Sequence, residues 1–180
     1  MIEKYPSVFE SGEIERIEAG DIVDQFNELD DDEADQAEAF TRQANAILKP
    51  FRCRAEVKKF APADLPTIFT TSTEADFFRA VERSQEVADP HWSSVLGSIA
   101  PGSMLHSYVS QLCFNYENPM VRGLMGIGNP EILRNSVQML YVQSLLLGHH
   151  PLNSGELKLL GEGLLKLIEM AMKNAGGSQK

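Results

Sequence analysis

The sequence is short of three things. Cysteine occurs twice in 180 residues, as Cys53 and Cys113, each inside an apolar alternating run. A disulfide framework needs more cysteines and a secreted setting, so both read as buried free thiols in a reducing compartment. Positive charge is scarce: 16 Lys and Arg stand against 26 Asp and Glu, a formal charge of -10, which repels nucleic acid and anionic membrane surfaces unless a local basic patch overrides it. The adjacent Lys58 and Lys59 fit a solvated strand edge rather than such a patch. Unbroken apolar runs are missing too. Glu156, Lys158, Glu162, Lys166 and Glu169 interrupt the leucine-rich tail, which excludes a membrane span. The opening MIEKYPSVFESGE has neither the basic start nor the apolar core of a signal peptide. These absences predict a cytoplasmic protein with no nucleic-acid and no membrane partner.

Catalytic patterns are equally thin. The sequence has no GxSxG elbow and no GKS or GKT, and Gly123, Gly126 and Gly128 are followed by Glu131 where a dinucleotide fingerprint needs glycine. The acid run Asp30, Asp31, Asp32, Glu33 fails as a calcium loop, because positions six and twelve hold Asp35 and Thr41 instead of glycine and glutamate. His149 and His150 are neighbours, and side chains about 100° apart on a helix cannot chelate as an i, i+4 pair does; they suit a helix C-terminus instead. Neither cysteine has a zinc-spaced partner. The expectation is no catalytic residue, no metal and no cofactor in this chain.

What is present is a 43% hydrophobic, 23% charged composition long enough for a true core. After a short strand near Glu13–Glu18 and a helical turn over 22–29, Ala37, Phe40, Ala44 and Ile47 mark one face of a helix that ends at Pro50. Cys53, Ala55 and Val57 alternate with polar residues as a half-buried strand, and Leu65–Thr71 follows a Pro-Ala-Asp turn, so the two are expected to pair antiparallel. Ser72 or Thr73 caps a helix through Val87 with Phe77, Phe78 and Val81 on its apolar side; with Trp92, from a shorter helical piece, they offer a patch for another protein. Residues 104–114 give a third strand.

The closing pair of helices carries the strongest pattern. Asn129 caps the first, Pro130 opens it, and Val137, Leu140, Tyr141, Ser144 and Leu145 make its apolar stripe up to Gly148. Asn153 and Glu156 stand at capping-box spacing, and Leu157, Leu160, Leu164, Leu167 and Ala171 keep a 3-4-3-4 seam. A second stripe of Leu165, Ile168 and Met172 widens the apolar arc, so this helix needs cover on two sides. Little else in the chain can supply it, and a second copy of the hairpin is the simplest lid. The fold class expected is therefore α+β: a small three-stranded sheet with packed helices, ending in a helical hairpin that forms an antiparallel four-helix bundle in a homodimer, with Val137, Leu140, Tyr141, Ser144 and Leu145 of its first helix and Leu157, Leu160, Leu164, Leu167 and Ala171 of its second as dimer interface.

Three segments in order, 52-RCRAEVKKFAPADLPTIFTT-71, 112-LCFNYENPMVRGL-124 and 131-EILRNSVQMLYVQSLLLGHHPL-152, together resemble the C-terminal region of the heat-shock protein 90 chaperone family, especially a divergent bacterial branch. The matching features are the Leu65-Pro66 step between two strands, Asn115 and Pro119 followed by Val121 and Leu124, and the helix Leu140-Tyr-Val-Gln-Ser-Leu-Leu-Leu-Gly148. The similarity covers roughly residues 50 to 172, with a fainter match at 14-IERIEAGD-21. It implies residues 1–30 as the end of a middle domain or a linker and 31–180 as a C-terminal dimerisation domain. It implies an amphipathic helix that helps bind unfolded clients, here the stretch with Phe77, Phe78 and Val81, although the family's methionines are replaced by phenylalanines. The family's ATP and magnesium site lies in a separate domain, so this chain is expected to be no enzyme by itself. The ending NAGGSQK lacks the acidic tail that recruits tetratricopeptide co-chaperones. Rival readings are a small-molecule-sensing regulatory dimer with a pocket near Tyr108 and Trp92, and a small enzyme dependent on His106 or Cys113.

Overall fold

The computed structural model describes residues 26–72, 110–177 and, between them, 75, 76, 79–81, 83 and 84. Helix α1 spans Asp31–Leu48 and begins with a capping box: the Asp30 side chain accepts from the Glu33 backbone N–H at 2.9 Å, and the Glu33 carboxylate accepts from the Asp30 N–H at 3.0 Å. The acid run that failed as a calcium loop thus serves as a first helical turn, where carboxylates complement the helix dipole. Its expected face, Ala37, Phe40, Ala44 and Ile47, is buried.

A short 3-10 turn, Lys49–Phe51, leads through Arg52 in the left-handed region (φ 52) to strand β1, Cys53–Lys58. Strand β2 is Thr67–Thr70 and β3 is Ser110–Asn115. The sheet is mixed, in the order β1-β3-β2, with β1 parallel and β2 antiparallel to β3. The expected direct pairing of β1 with β2 is therefore overturned. Leu112, Cys113 and Phe114 of β3 are all fully buried, the pattern of a central strand covered on both faces. The β1–β2 connection, carrying Pro62 and Pro66, is also too long for a tight hairpin.

Asn115 fixes that connection from beneath. Its buried amide donates to the carbonyls of Phe60, Pro62 and Leu65 at 2.8, 3.2 and 3.0 Å and accepts from the N–H groups of Phe60 and Glu117. Asn118 donates to the carbonyls of Ala63 and Asp64 and caps helix α2, Pro119–Met125. The Asn-x-x-x-Pro pattern is thus a loop clamp followed by a helix start, and α2 is an element the sequence reading did not anticipate.

Helix α3, Pro130–Leu147, and helix α4, Ser154–Gly177, form the terminal hairpin. The core lies between the sheet, α1 and α3, with Phe40, Phe69, Leu112, Phe114, Val137, Leu140, Tyr141 and Leu145 in one cluster. Each such side chain contributes on the order of 1.5–3 kcal/mol on burial. Residues 75, 76, 79–81, 83 and 84 are helical, and Ser72 caps them by accepting from the Ala75 N–H at 3.2 Å. Phe26 stacks on Phe60 at 4.6 Å and Asn27 pairs with Lys59, so 26 and 27 pack on this unit. The strand expected near 13–18, Phe77, Phe78, the piece around Trp92 and the strand portion 104–109 lie outside the described residues.

Candidate functional site

The terminal hairpin is where the fold leaves something unfinished. In α3, Leu133, Val137, Leu140, Tyr141, Ser144 and Leu145 are buried, and the Ser144 hydroxyl meets Thr67 of β2 at 2.6 Å. These positions recur every three to four residues, so they share the helix face turned to the sheet. The opposite flank meets α4 at Gly163, where the missing side chain leaves room for Met139.

Along α4 only a narrow strip is used in this way. Glu156 and Gly163 are buried, and Leu159, Leu160 and Met170 are partly covered. Leu167, Leu164, Leu157, Ile168, Leu165 and Met172 are 45%, 49%, 55%, 56%, 63% and 69% exposed. At about 100° per residue, Leu157, Gly161, Leu164, Ile168 and Ala171 form one continuous exposed seam, with Leu165 and Met172 beside it. Lys158, Glu162 and Glu169 lie on the flank that Leu165 and Met172 share, about 100° round the helix from the seam, with Lys158 and Glu162 pairing at 3.8 Å. Leu146 and Leu147, 48% and 59% exposed, extend the apolar surface to the end of α3. An apolar patch of this length on one helix is a candidate interaction surface.

The expected interface residues therefore separate into two sets. Val137, Leu140, Tyr141, Ser144 and Leu145 sit inside the chain's own core; Leu157, Leu164, Leu167 and Ala171 are exposed, and Leu160 is half-buried. Of the expected client-contact residues, Val81 is buried and Phe77, Phe78 and Trp92 lie outside the described residues.

The turn between the helices holds a buried charged node that sequence reasoning missed. The Arg79 guanidinium grips Glu156 with two parallel bonds, Nη1 to Oε1 and Nη2 to Oε2, both 3.1 Å. Tyr141 donates to Glu156 Oε1 at 2.6 Å, and Arg79 reaches the Tyr141 hydroxyl at 3.4 Å and the Pro151 carbonyl at 3.3 Å. Burial works against the Arg79 charge, but the Glu156 bond, with Tyr141 and the carboxylate charge beside it, more than restores it, so its pKa lies above the ordinary range. Burial, reinforced by the Glu156 charge, pushes the Tyr141 phenol up as well. Asn153 and Glu156 form the anticipated capping box, with bonds of 2.9 and 2.8 Å. The only earlier clue to the node was that box; its second partner comes from 77 residues away in sequence. Nearby, His150 Nδ1 lies 3.3 Å from Asp76 and its ring meets Phe69 edge-on.

Other surfaces offer less. An open groove of about 490 Å³ runs between α1 and β1, past Ala37, Thr41, Asn45, Arg54 and Val57. Its charges are matched in pairs, Arg42 with Glu38 at 3.8 Å and Arg54 with Glu56 at 3.7 Å, and Asn45 bonds the N–H and carbonyl of Ala55 on the free edge of β1. Among the described residues no group of three His, Cys, Asp or Glu is placed to hold a metal ion, and no helix is long and apolar enough to cross a membrane. Cys53 and Cys113 are free and buried. No model of a known protein family matches the chain, and no curated protein matches it either.

Proposed function

We propose that the chain is the dimerisation module of a cytoplasmic, ATP-dependent molecular chaperone resembling the heat-shock protein 90 family. The observation that carries this reading is the uncovered face of α4: six large apolar side chains are about half or more exposed, and Leu157, Leu164 and Ile168 among them line a seam with the spacing of helix-on-helix packing. A second copy of the same hairpin answers that face with its own, as a two-fold interface requires. Two α3–α4 hairpins then form an antiparallel four-helix bundle, with α4 contributing most of the contact and Leu146 and Leu147 extending it. The order of the three sequence segments supplies the chaperone part of the reading.

In this role the function is geometric. Tethering two clamps at one end raises the concentration of their other ends for each other, so that ATP-dependent closure becomes intramolecular. ATP and magnesium belong in this reading to a separate domain. The stretch of sequence with Phe77 and Phe78 contributes in this reading to holding unfolded clients.

Sedimentation equilibrium at micromolar concentration tests the dimer. The wild-type chain is expected to sediment as a dimer and Leu164→Glu as a folded monomer. A wild-type monomer that binds no hydrophobic dye would overturn the reading. Client contact is measured by suppression of aggregation of a chemically unfolded protein; Phe77→Ser with Phe78→Ser is expected to weaken it, and an unchanged effect removes that part of the proposal.

A further inference from the structure

Glu156 has two duties that meet in one carboxylate. As the third residue of α4 it accepts from the Asn153 N–H through Oε2, while the Asn153 side chain accepts from its own N–H, closing the first turn. Through the same two oxygens it binds Arg79, one of the helical residues 75, 76, 79–81, 83 and 84 of the segment 75–84. The carboxylate is 1% exposed and the Arg79 side chain 15%. A pair this deep is weak as a source of stability, since apolar residues of similar volume do as well, but removing one partner strands the other's charge in the interior.

The described residues of the segment have other attachments, and the Arg79 guanidinium itself also lies 5.6 Å from the centre of the Phe69 ring. Ala75 and Val81 are buried, and Asp76 faces His150 across 3.3 Å. Arg79 Nε is buried and has no hydrogen-bond partner among the described residues. An orphaned buried donor raises the energy of the docked state and narrows its advantage over an undocked one.

We propose that Arg79 and Glu156 make docking of segment 75–84 and winding of the first turn of α4 a single event. If the segment leaves, Glu156 loses its counter-ion and must turn out to water, releasing the Asn153 N–H and uncapping α4. Whatever binds segment 75–84 is thereby felt at the start of the helix with the uncovered leucine seam. The device is contained within one chain and stands or falls apart from the dimer reading.

Amide hydrogen exchange on the full chain decides it. In Arg79→Met, exchange at Asp76 and Val81 and at Glu156 and Leu157 is expected to quicken together by about tenfold or more, the scale of a lost bond to a charged group. In Glu156→Gln the segment is expected to loosen while α4 keeps its protection, because glutamine also serves at the third position of a capping box. Loosening of 75–84 in Arg79→Met with Glu156 and Leu157 unchanged would overturn the coupling. Should that variant fail to fold, the wild-type chain in sub-denaturing urea gives the same decision: one shared opening isotherm for 75–84 and 154–158 supports it, and two separate ones refute it.

Discussion

Helix α3 turns Leu133, Val137, Leu140, Tyr141 and Leu145 onto the sheet and α1, whereas its neighbour α4 turns Leu157, Leu164, Leu165, Ile168 and Met172 to solvent. Both are leucine-rich helices of the same hairpin. The difference lies in what stands opposite: α3 is sandwiched between the sheet and α4, while among the described residues α4 meets α3 on one side and Arg79 at its first turn, and its leucine seam is exposed. An apolar arc measures how much cover a helix needs; it does not say which body supplies it.

The largest expected effect tests the α3 side. Tyr141→Ala removes a fully buried ring that packs against Phe51 and Phe69 and takes one of its donors from Glu156, which keeps Arg79 and the Asn153 N–H. A loss of about 3–5 kcal/mol is expected from the cavity alone, read as a large fall in Tm. Leu165→Ala on α4 should leave the Tm of a dilute, monomeric sample nearly unchanged, since surface substitutions fall within about 0.5 kcal/mol. Equal losses at the two sites would erase the distinction between the helices.

Next in size is the effect on assembly. Leu164→Glu places a charge where two copies of α4 are proposed to meet, and two-fold symmetry counts it twice. Dimer affinity is expected to fall by on the order of a thousandfold or more, as about 2 kcal/mol lost per copy implies. Its circular dichroism should match wild type. By contrast Leu140→Glu should abolish folding rather than assembly, because Leu140 is buried within the chain.

That contrast also marks how far the sequence could be read. The 3.6-residue period located α1, α3 and α4, and local chemistry located their starts: Asn129 bonds the N–H groups of Glu131 and Ile132, and Asn153 does the same for Glu156. Such signals act over three or four residues. The sheet order, the Asn115 clamp and the Arg79 grip on Glu156 join residues about 40 or more apart, and nothing local announces them. The phase of α4 was only half legible. Its seam residues were recognisable as apolar, but the close approach of α3 at Gly163 decides which of them point outward.

A smaller effect separates the buried interior from the exposed seam by pH. Burial pushes the Cys113 thiol from the usual 9.0 up to about 12, with the Glu56 charge adding to it. The folded state thus holds a proton that the unfolded chain releases first. The resulting stability is fully present below pH 9 and is lost as pH rises towards 12. Chemical denaturation between pH 8 and 11 should show a declining stability whose slope is reduced in Cys113→Ala, the rest of the slope belonging to Cys53 and Tyr141, which burial also pushes up. Native thiols should stay unreactive to a thiol reagent at pH 8 until the chain unfolds.

The smallest expected effect is the sharpest about what covers α4. Two glycines one turn-fraction apart test the helix's two sides: Gly163 backs onto Met139, while a methyl group added at Gly161 meets nothing within 4 Å. In a monomer, Gly161→Ala should stabilise the helix by about 0.5–1 kcal/mol, because glycine carries that penalty in a helix interior. Gly163→Ala should gain less or nothing, since the Met139 tail must move aside. At concentrations where the dimer forms, Gly161 lies in the middle of the proposed seam, and a partner helix packed closely there leaves no room for a methyl group. The same substitution should then raise the Tm of dilute protein and weaken dimer affinity. An affinity that is unchanged or improved would move the interface off the Leu157–Ala171 seam and onto another flank of α4.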